Sequence, residues 1–383
     1  MSKYITIKKL LFISLAAISL TACGGGSNSN YGDSDTSGAS GNSYTTSDGE
    51  EIILGSENPI CKKGNAKHAG QVMDSYTSKG VNNVTVTIAG CTTKTDSNGF
   101  YTFENIVSST RSSVVFEKDT YSKNSVIITI DNDTSNYLKL SLEKTKSTWI
   151  YNREEGIEGI HINLDASTHF TDIYNKKYDG NITASLTYND PMTEEGRNTF
   201  PGTYQGIDSN NIVVSFIAYG FINIQLKDTI GNNLKISENI KITFDHSQEL
   251  ENDTIPLWSY NYNMGIWVER GVAHKDENGN FSADVSHLGT WCIAQAIETE
   301  SGIYTGRIVD TEGDPISNIR VSALGKGWIV QDLTTDENGI FTLNVIPNKK
   351  FNLRAYNYKE KFGATYRNTL DAIAPGEIVD NKL

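Results

Sequence analysis

The sequence predicts an all-β chain built of tandem β-sandwiches, on three observations. Segments of alternating apolar and polar residues recur at roughly the spacing of sandwich strands, as in residues 181–188 (NITASLTY) and 241–244 (KITF). Successive side chains point to opposite faces of a strand, so this pattern suits sheets with one face buried. No stretch keeps apolar residues at helical spacing over three turns. A turn-plus-strand unit occurs three times, at residues 95–102 (TDSNGFYT), 275–282 (KDENGNFS) and 335–342 (TDENGIFT). A length of 383 residues suits two or three domains, each able to bury a core.

Taken from the N-terminus, residues 1–22 read as a signal peptide. Lys3, Lys8 and Lys9 supply the positive region, and residues 10–20 are apolar but too short to span a bilayer. Leu20-Thr21-Ala22-Cys23 then resembles the lipobox of bacterial lipoproteins. That resemblance implies a diacylglycerol on the Cys23 sulfur, cleavage before it, and attachment to a membrane. Gly24 in place of an aspartate implies the outer membrane. The other reading is an ordinary secretory signal with a chance cysteine. Residues 23–66 are rich in Gly, Ser and Asn, and 24–50 hold no Val, Ile, Leu, Phe, Met or Trp. Such a segment cannot offset its ordering entropy, so 23–66 is expected to be a flexible tether with a mean reach of roughly 35–40 Å.

In the repeated unit, Asn-Gly suits a tight turn and the Asp side chain can hold it by accepting a backbone N–H two residues on. The aromatics that follow (Tyr101, Phe281, Phe341) are expected to point inward, with Phe103, Ala283 and Leu343 on the same face. Two copies extend further. His68-Ala69-Gly70-Gln71-Val72-Met73-Asp74 and residues 81–88 precede the first; Thr305-Gly306-Arg307-Ile308-Val309-Asp310 and residues 316–323 precede the third. At these residues the chain resembles the carboxypeptidase regulatory-like family, a seven-stranded sandwich related to transthyretin. The resemblance covers 67–145 and 302–383, and implies accessory modules without catalytic residues. The middle domain, 146–298, carries Ile255-Pro256-Leu257-Trp258-Ser259-Tyr260, then Ile266-Trp267-Val268-Glu269-Arg270-Gly271, and closes on Trp291-Cys292. This is similar to a segment of cartilage intermediate layer protein and implies a matrix-like, non-enzymatic use. Residues 212–219 (IVVSFIAY) read as a buried strand.

A formal charge of −13 gives no electrostatic footprint for nucleic acid. In an oxidising envelope Cys61 and Cys91 are expected to pair, because two antiparallel strands, 70–74 and 84–88, bring their ends together; closing that loop is worth roughly 3–4 kcal/mol. The alternative is two free thiols. Cys292 reads as a small buried apolar residue. His246/Glu249 and His274/Glu277 have the spacing of zinc-carboxypeptidase ligands, but no third ligand or catalytic domain follows, so no metal site is expected. The Asp-x-Asn-Gly turns fail the EF-hand spacing and leave only a loose calcium site as an alternative. His161 and His169, with Asp165 between them, read as surface positions. No phosphate loop, dinucleotide fingerprint or nucleophile elbow occurs, so no catalytic residue and no cofactor is expected.

The aromatic constellation Trp258, Tyr260, Tyr262, Trp267 and Trp291 admits two readings. Facing water it is a ligand platform for sugar rings or an apolar partner. Facing inward it is core, which the usual burial of Trp favours, with Tyr260 and Tyr262 as the exposed exceptions. The sequence thus predicts a non-catalytic, lipid-anchored envelope scaffold. Its alternatives are a carbohydrate-binding protein or adhesin, and the accessory subunit of an envelope enzyme.

Overall fold

The structure is a computed structural model that describes residues 42–46, 51–54, 64–88, 90–130, 135–151, 153–245, 250–357, 362–365 and 369–381. Cys23, Cys61, His246 and Glu249 lie outside the described residues. The chain is a series of β-sandwiches, and its one described α-helix, Glu194–Thr199, is short.

The first sandwich stacks a three-stranded sheet, in the order Phe100–Ile106, Ala66–Asp74, Ser135–Leu142, on a four-stranded one, in the order Cys91–Lys94, Thr85–Ile88, Ser109–Glu117, Asn124–Ile130. The first and last strands pair in parallel, Gly70 beside Leu138. Val72, Val86, Ile88, Tyr101, Val114 and Phe116 fill the space between the sheets. The third domain repeats this topology: Ile340–Val345, Gly302–Arg307 and Ile378–Asp380 face Trp328–Thr334, Arg320–Gly325, Asn352–Asn357 and Phe362–Thr365.

The shared motif has a packing reason. Gly70 pairs with Tyr101 and Gly306 with Phe341 across the sheet. A Cβ on Gly70 would lie 2.5 Å from the Tyr101 hydroxyl, and one on Gly306 would lie 2.3 Å from Cζ of Phe341. The aromatic that follows each turn therefore lies over a glycine that leaves it room. In each repeated turn the Asp Oδ1 accepts two backbone N–H groups. Asp96 takes those of Asn98 and Phe100, Asp276 those of Asn278 and Asn280, and Asp336 those of Asn338 and Ile340, all at 2.8–2.9 Å. Gly99, Gly279 and Gly339 take the positive φ; the preceding Asn does not. Thr95 and Thr335, just before the Asp, are buried staples. Each hydroxyl donates to a carbonyl (Val81, Ile316) and accepts from an N–H (Val84, Ile319) of the segment leading into the neighbouring strand of the same sheet. The middle copy has Lys275 there and no such staple.

Asp74 ends the first strand in a buried position. It accepts the N–H groups of Tyr76 and Thr77, the Thr77 hydroxyl and, at 2.9 Å, the Tyr121 hydroxyl, and it faces Lys144. The Thr77 N–H above all, then the Tyr121 and Thr77 hydroxyls and Lys144, hold its carboxyl down to about 2 against the opposing effect of burial. A carboxyl depressed on folding stabilises the fold at pH above its unfolded value, and that contribution is lost as pH falls through the folded one. Asp74→Ala is expected to cost about 1–3 kcal/mol at neutral pH by stripping buried donors of their acceptor. In urea titrations the gap between variant and wild type should narrow from pH 4 toward pH 2; a gap independent of pH in that window contradicts the assignment.

The middle domain holds one long sheet in the order Ser147–Tyr151, Ile182–Asn189, Ile212–Lys227, Gly289–Ile297, Thr254–Asn261, Ile266–Lys275, Phe281–Val285, Ile240–Phe244, Ile162–Leu164, Ile157–Glu158, and a small three-stranded one of Lys177–Tyr178, Phe170–Thr171 and Lys235–Ile236. Its spine, Ile212–Lys227, runs through two cores. Phe216 and Ala218 belong to the core shared with the third domain, and Ile222, Ile224 and Leu226 to the domain's own. A bulge between Ala218 and Gly220 marks the crossing.

One expectation needs correction. Within the segment read as a flexible tether, Asn42–Thr46 and Glu51–Leu54 pair as a hairpin, Ser43 opposite Ile53. The first of these strands adds in parallel to the spine, Thr45 beside Ile212 and Thr46 beside Val213. Tyr44 is half-buried against the cluster of Ile207, Val213 and Ile266. The composition argument covered 24–50, but Ile52, Ile53 and Leu54 stand just beyond it, and an open strand edge satisfies the backbone of a segment too polar to fold alone.

Candidate functional site

The aromatic constellation is the candidate site, and the structure turns it inward. Trp258 and Trp267 are fully buried, and Tyr260 is 5 % exposed. Trp258 projects from Thr254–Asn261 and Trp267 from the paired Ile266–Lys275, so one hairpin carries both. Phe200 stacks on Trp267 with centroids 4.9 Å apart, and Phe216 lies 5.2 Å from Trp258. Each indole N–H has a carbonyl acceptor: Trp258 donates to Ala294 at 3.0 Å and Trp267 to Pro201 at 3.1 Å. A buried indole without a partner would carry a desolvation cost, so these bonds let the rings be core. The water-facing platform of Trp258, Tyr260, Tyr262 and Trp267 is thereby corrected. No outward face of the two indoles is left to stack on a sugar. Trp291 is also buried, in the second core, its N–H on the His287 carbonyl.

Tyr260 and Tyr262 were the expected exposed exceptions. They are instead seam residues. The Tyr260 hydroxyl bonds the Ser125 hydroxyl at 3.1 Å, and that of Tyr262 donates to the Lys123 carbonyl at 3.1 Å, both on the first sandwich. Lys123 Nζ stands 4.5 Å from the centre of the Tyr262 ring, a cation–π contact. Burial pushes the Tyr260 hydroxyl up to about 12, although its bond to Ser125 and the nearby Arg111 oppose the shift. Both hydroxyls therefore remain donors at physiological pH.

The rest of the seam gave no signal in the sequence. Arg111 reaches from the first sandwich into the turn of the Trp hairpin, donating to the carbonyls of Met264 at 2.9 Å and Gly265 at 2.7 Å. Ser113 donates to the Tyr262 carbonyl, and the Gly202 N–H to the Ser125 carbonyl at 2.7 Å. Lys227 pairs with Asp119 at the rim. Between the domains, Asn124, Glu143, Asn189, Phe221 and Thr290 surround a cavity of about 10 Å³, room for roughly one water. The middle–third contact is apolar. Phe216, Trp258 and Cys292 belong to the same core as Tyr304, Val321, Trp328 and Phe351.

The other expected residues fall as follows. Cys91 is in a disulfide; Cys61, its expected partner, lies outside the described residues. Cys292 is fully buried with a free thiol, pushed well up by burial. His274 and Glu277 flank the repeated turn on the surface. His161 stacks on Tyr188 at 4.3 Å, and His169 faces Glu238, so the two do not converge. Among the described residues no group of three or more His, Cys, Asp or Glu side chains is disposed to hold a metal. The Asp-turn device recurs at Asp172, Asp208, Asp228 and Asp310. The readable signal is Asp followed three residues later by Gly or Asn at positive φ: Asn175, Asn211, Gly231 and Gly313. In these turns Oδ1 serves backbone N–H groups, which accounts for the aspartates structurally.

No protein-family profile matches the chain, and no curated protein matches it. Solved structures resemble it at a distance. The Bacillus anthracis TIE protein is 13% identical with a TM-score of 0.20, covering 82% of this chain; this chain spans about half its length, 50%. BcpA, the major pilin subunit of Bacillus cereus, is 10% identical with a TM-score of 0.17, over 83% of this chain and 99% of that one. The major pilin SpaD from Corynebacterium diphtheriae is 10% identical with a TM-score of 0.18, over 80% and 91%.

Proposed function

We propose that the chain is a non-catalytic scaffold of the bacterial envelope, anchored by lipid on Cys23 at the outer membrane, that holds docked sandwiches at a set geometry and displays their loops to a protein or glycan partner. The observation that carries this reading is the docking itself. The apolar core shared by the middle and third domains, and the polar seam from Arg111 to Tyr262, join the sandwiches through side chains rather than through linkers alone. Domains so joined transmit position, which a spacer needs and a string of independently tumbling modules cannot supply. The burial of Trp258 and Trp267 disfavours the glycan-platform alternative, so any glycan would meet the loops. The Cys61–Cys91 pairing belongs to the same proposal, which includes no cofactor.

Two measurements test it. Cys23→Ser should move the full chain from the membrane to the soluble fraction and abolish labelling by a fatty acid. Retention of the variant, with no label on the wild type, removes the anchor. Small-angle scattering of the soluble variant should fit the docked arrangement over residues 64–381 with a single maximum dimension; scattering that requires freely reorienting domains removes the spacer.

A further inference from the structure

Where the chain passes from the first sandwich into the middle domain, one lysine, one asparagine and one glutamate meet. Glu143 and Lys146 lie in the connection between Ser135–Leu142 and Ser147–Tyr151, and Asn189 is the last residue of Ile182–Asn189. Lys146 Nζ is 2.6 Å from Asn189 Oδ1 and 2.9 Å from Glu143 Oε1. Asn189 Nδ2 is 2.6 Å from Glu143 Oε2. The three groups therefore close a ring in which one carboxylate touches both the amine and the amide nitrogen. Asn189 is 3 % exposed and Glu143 is buried, while the lysine stem reaches in from the surface. Pairing on both sides fixes the site: Ser147 opposite Leu186 sets the lysine beside the end of its neighbour, and Asn189 opposite Phe221 holds the amide in the sheet.

We infer that this is a self-processing site at which Lys146 and Asn189 form an intramolecular amide cross-link, with Glu143 as the proton relay. The chemistry needs no co-reactant. Glu143 Oε1 takes a proton from the Lys146 ammonium, leaving a neutral amine. Its lone pair attacks Asn189 Cγ, forming the Nζ–Cγ bond as the carbonyl π pair moves onto Oδ1. Glu143 passes its proton through Oε2 to Nδ2. The Cγ–Nδ2 bond then breaks with its electron pair on nitrogen, and the carbonyl re-forms. The new amide nitrogen releases its extra proton through Glu143 to the departing ammonia. The sum is ammonium plus carboxamide giving secondary amide plus ammonium ion, with no change in oxidation state. Amide aminolysis is slow in free solution; a fixed pair of reactants can gain effective molarities of about 10⁵ M or more. A carboxylate within hydrogen-bond reach of both nitrogens supplies general acid–base transfer. The cavity of about 10 Å³ bordered by Glu143 and Asn189 has room for roughly one water-sized molecule, such as the leaving ammonia. The link would tie residue 146, where the chain enters the middle domain, to residue 189 at the end of the neighbouring strand. It goes beyond the scaffold reading, which stands on other measurements.

The test is mass spectrometry of the purified full chain against Lys146→Arg, which keeps a cation beside Glu143 but cannot form this amide, and against Glu143→Gln. Wild type is expected to weigh about 17 Da less than its composition requires after any N-terminal processing, the mass of one ammonia, and both variants to show the full mass. Trypsin should fail to cut after Lys146 and should yield one branched peptide joining residues 145–153 to 178–197. Full mass for wild type, with cleavage after Lys146, overturns the cross-link and leaves the trio as an ion pair. Loss of ammonia persisting in Glu143→Gln overturns the relay.

Discussion

Trp267→Ala is expected to lower the unfolding free energy by about 3–5 kcal/mol, the range for emptying a fully buried large aromatic site. The ring is in van der Waals contact on several sides: Phe200 stacked at 4.9 Å, Tyr260 edge-on at 5.2 Å and Phe216 at 6.3 Å. Phe216 and Tyr260 sit on different strands of a paired sheet and Phe200 caps the helix Glu194–Thr199, so they cannot collapse into the void without breaking register. The Pro201 carbonyl also loses its donor. Trp267→Phe should cost less, since it keeps part of the packing and forfeits the hydrogen bond. Ile150→Ala, at a side chain 76 % exposed, should stay within about 0.5 kcal/mol of wild type. Chemical denaturation followed by far-ultraviolet dichroism gives all three values. A loss below 1 kcal/mol for Trp267→Ala would return the aromatic cluster to the surface.

Gly327→Ala is expected to separate the third domain from the middle one. The hairpin between Arg320–Gly325 and Trp328–Thr334 inserts at the bulge of the spine, where the Ala218 N–H donates to the Gly327 carbonyl at 2.9 Å. Gly327 has φ +74°, and a Cβ there would lie 2.5 Å from the Ala218 carbonyl oxygen and 2.8 Å from Cγ2 of Ile217. Two penalties combine: about 1–3 kcal/mol for a left-handed backbone carrying a side chain, and a clash with backbone that cannot rotate away. Gly313→Ala is the control. Its φ is +96° with nothing within 4 Å of the added atom, so it should cost only the conformational part, about 1–3 kcal/mol, without the clash. In calorimetry the control should keep the wild-type pattern of transitions. Gly327→Ala should release an earlier transition, with new proteolysis near residues 298–302. Equal behaviour of the two variants would show that the hairpin does not dock.

The two kinds of information divided along a physical line. The end sandwiches were legible because their signals are local. Strand alternation and Asp-x-Asn-Gly turns act within one strand pair, and residues 67–145 carry both. The hairpin at Asn42–Thr46 and Glu51–Leu54 was missed because its apolar residues are few and its stability comes from the spine edge it joins. The aromatic constellation was legible as a cluster, and the usual burial of Trp favoured core for its tryptophans, but the inward turn of Tyr260 was missed. Alternation along Thr254–Asn261 gives the same string for a face turned to water and a face turned to another domain.

The all-β class, the repeated turn and the inward ring behind it follow from backbone preference and side-chain period, which are local and so readable along the chain. Tertiary structure alone decided that Tyr260 and Tyr262 bridge to the first sandwich. It alone decided that Arg111 threads into the Trp hairpin, and that Glu143, Lys146 and Asn189 converge. Those contacts join residues far apart along the chain, and their geometry is set by how whole sheets pack, which no short window of residues encodes.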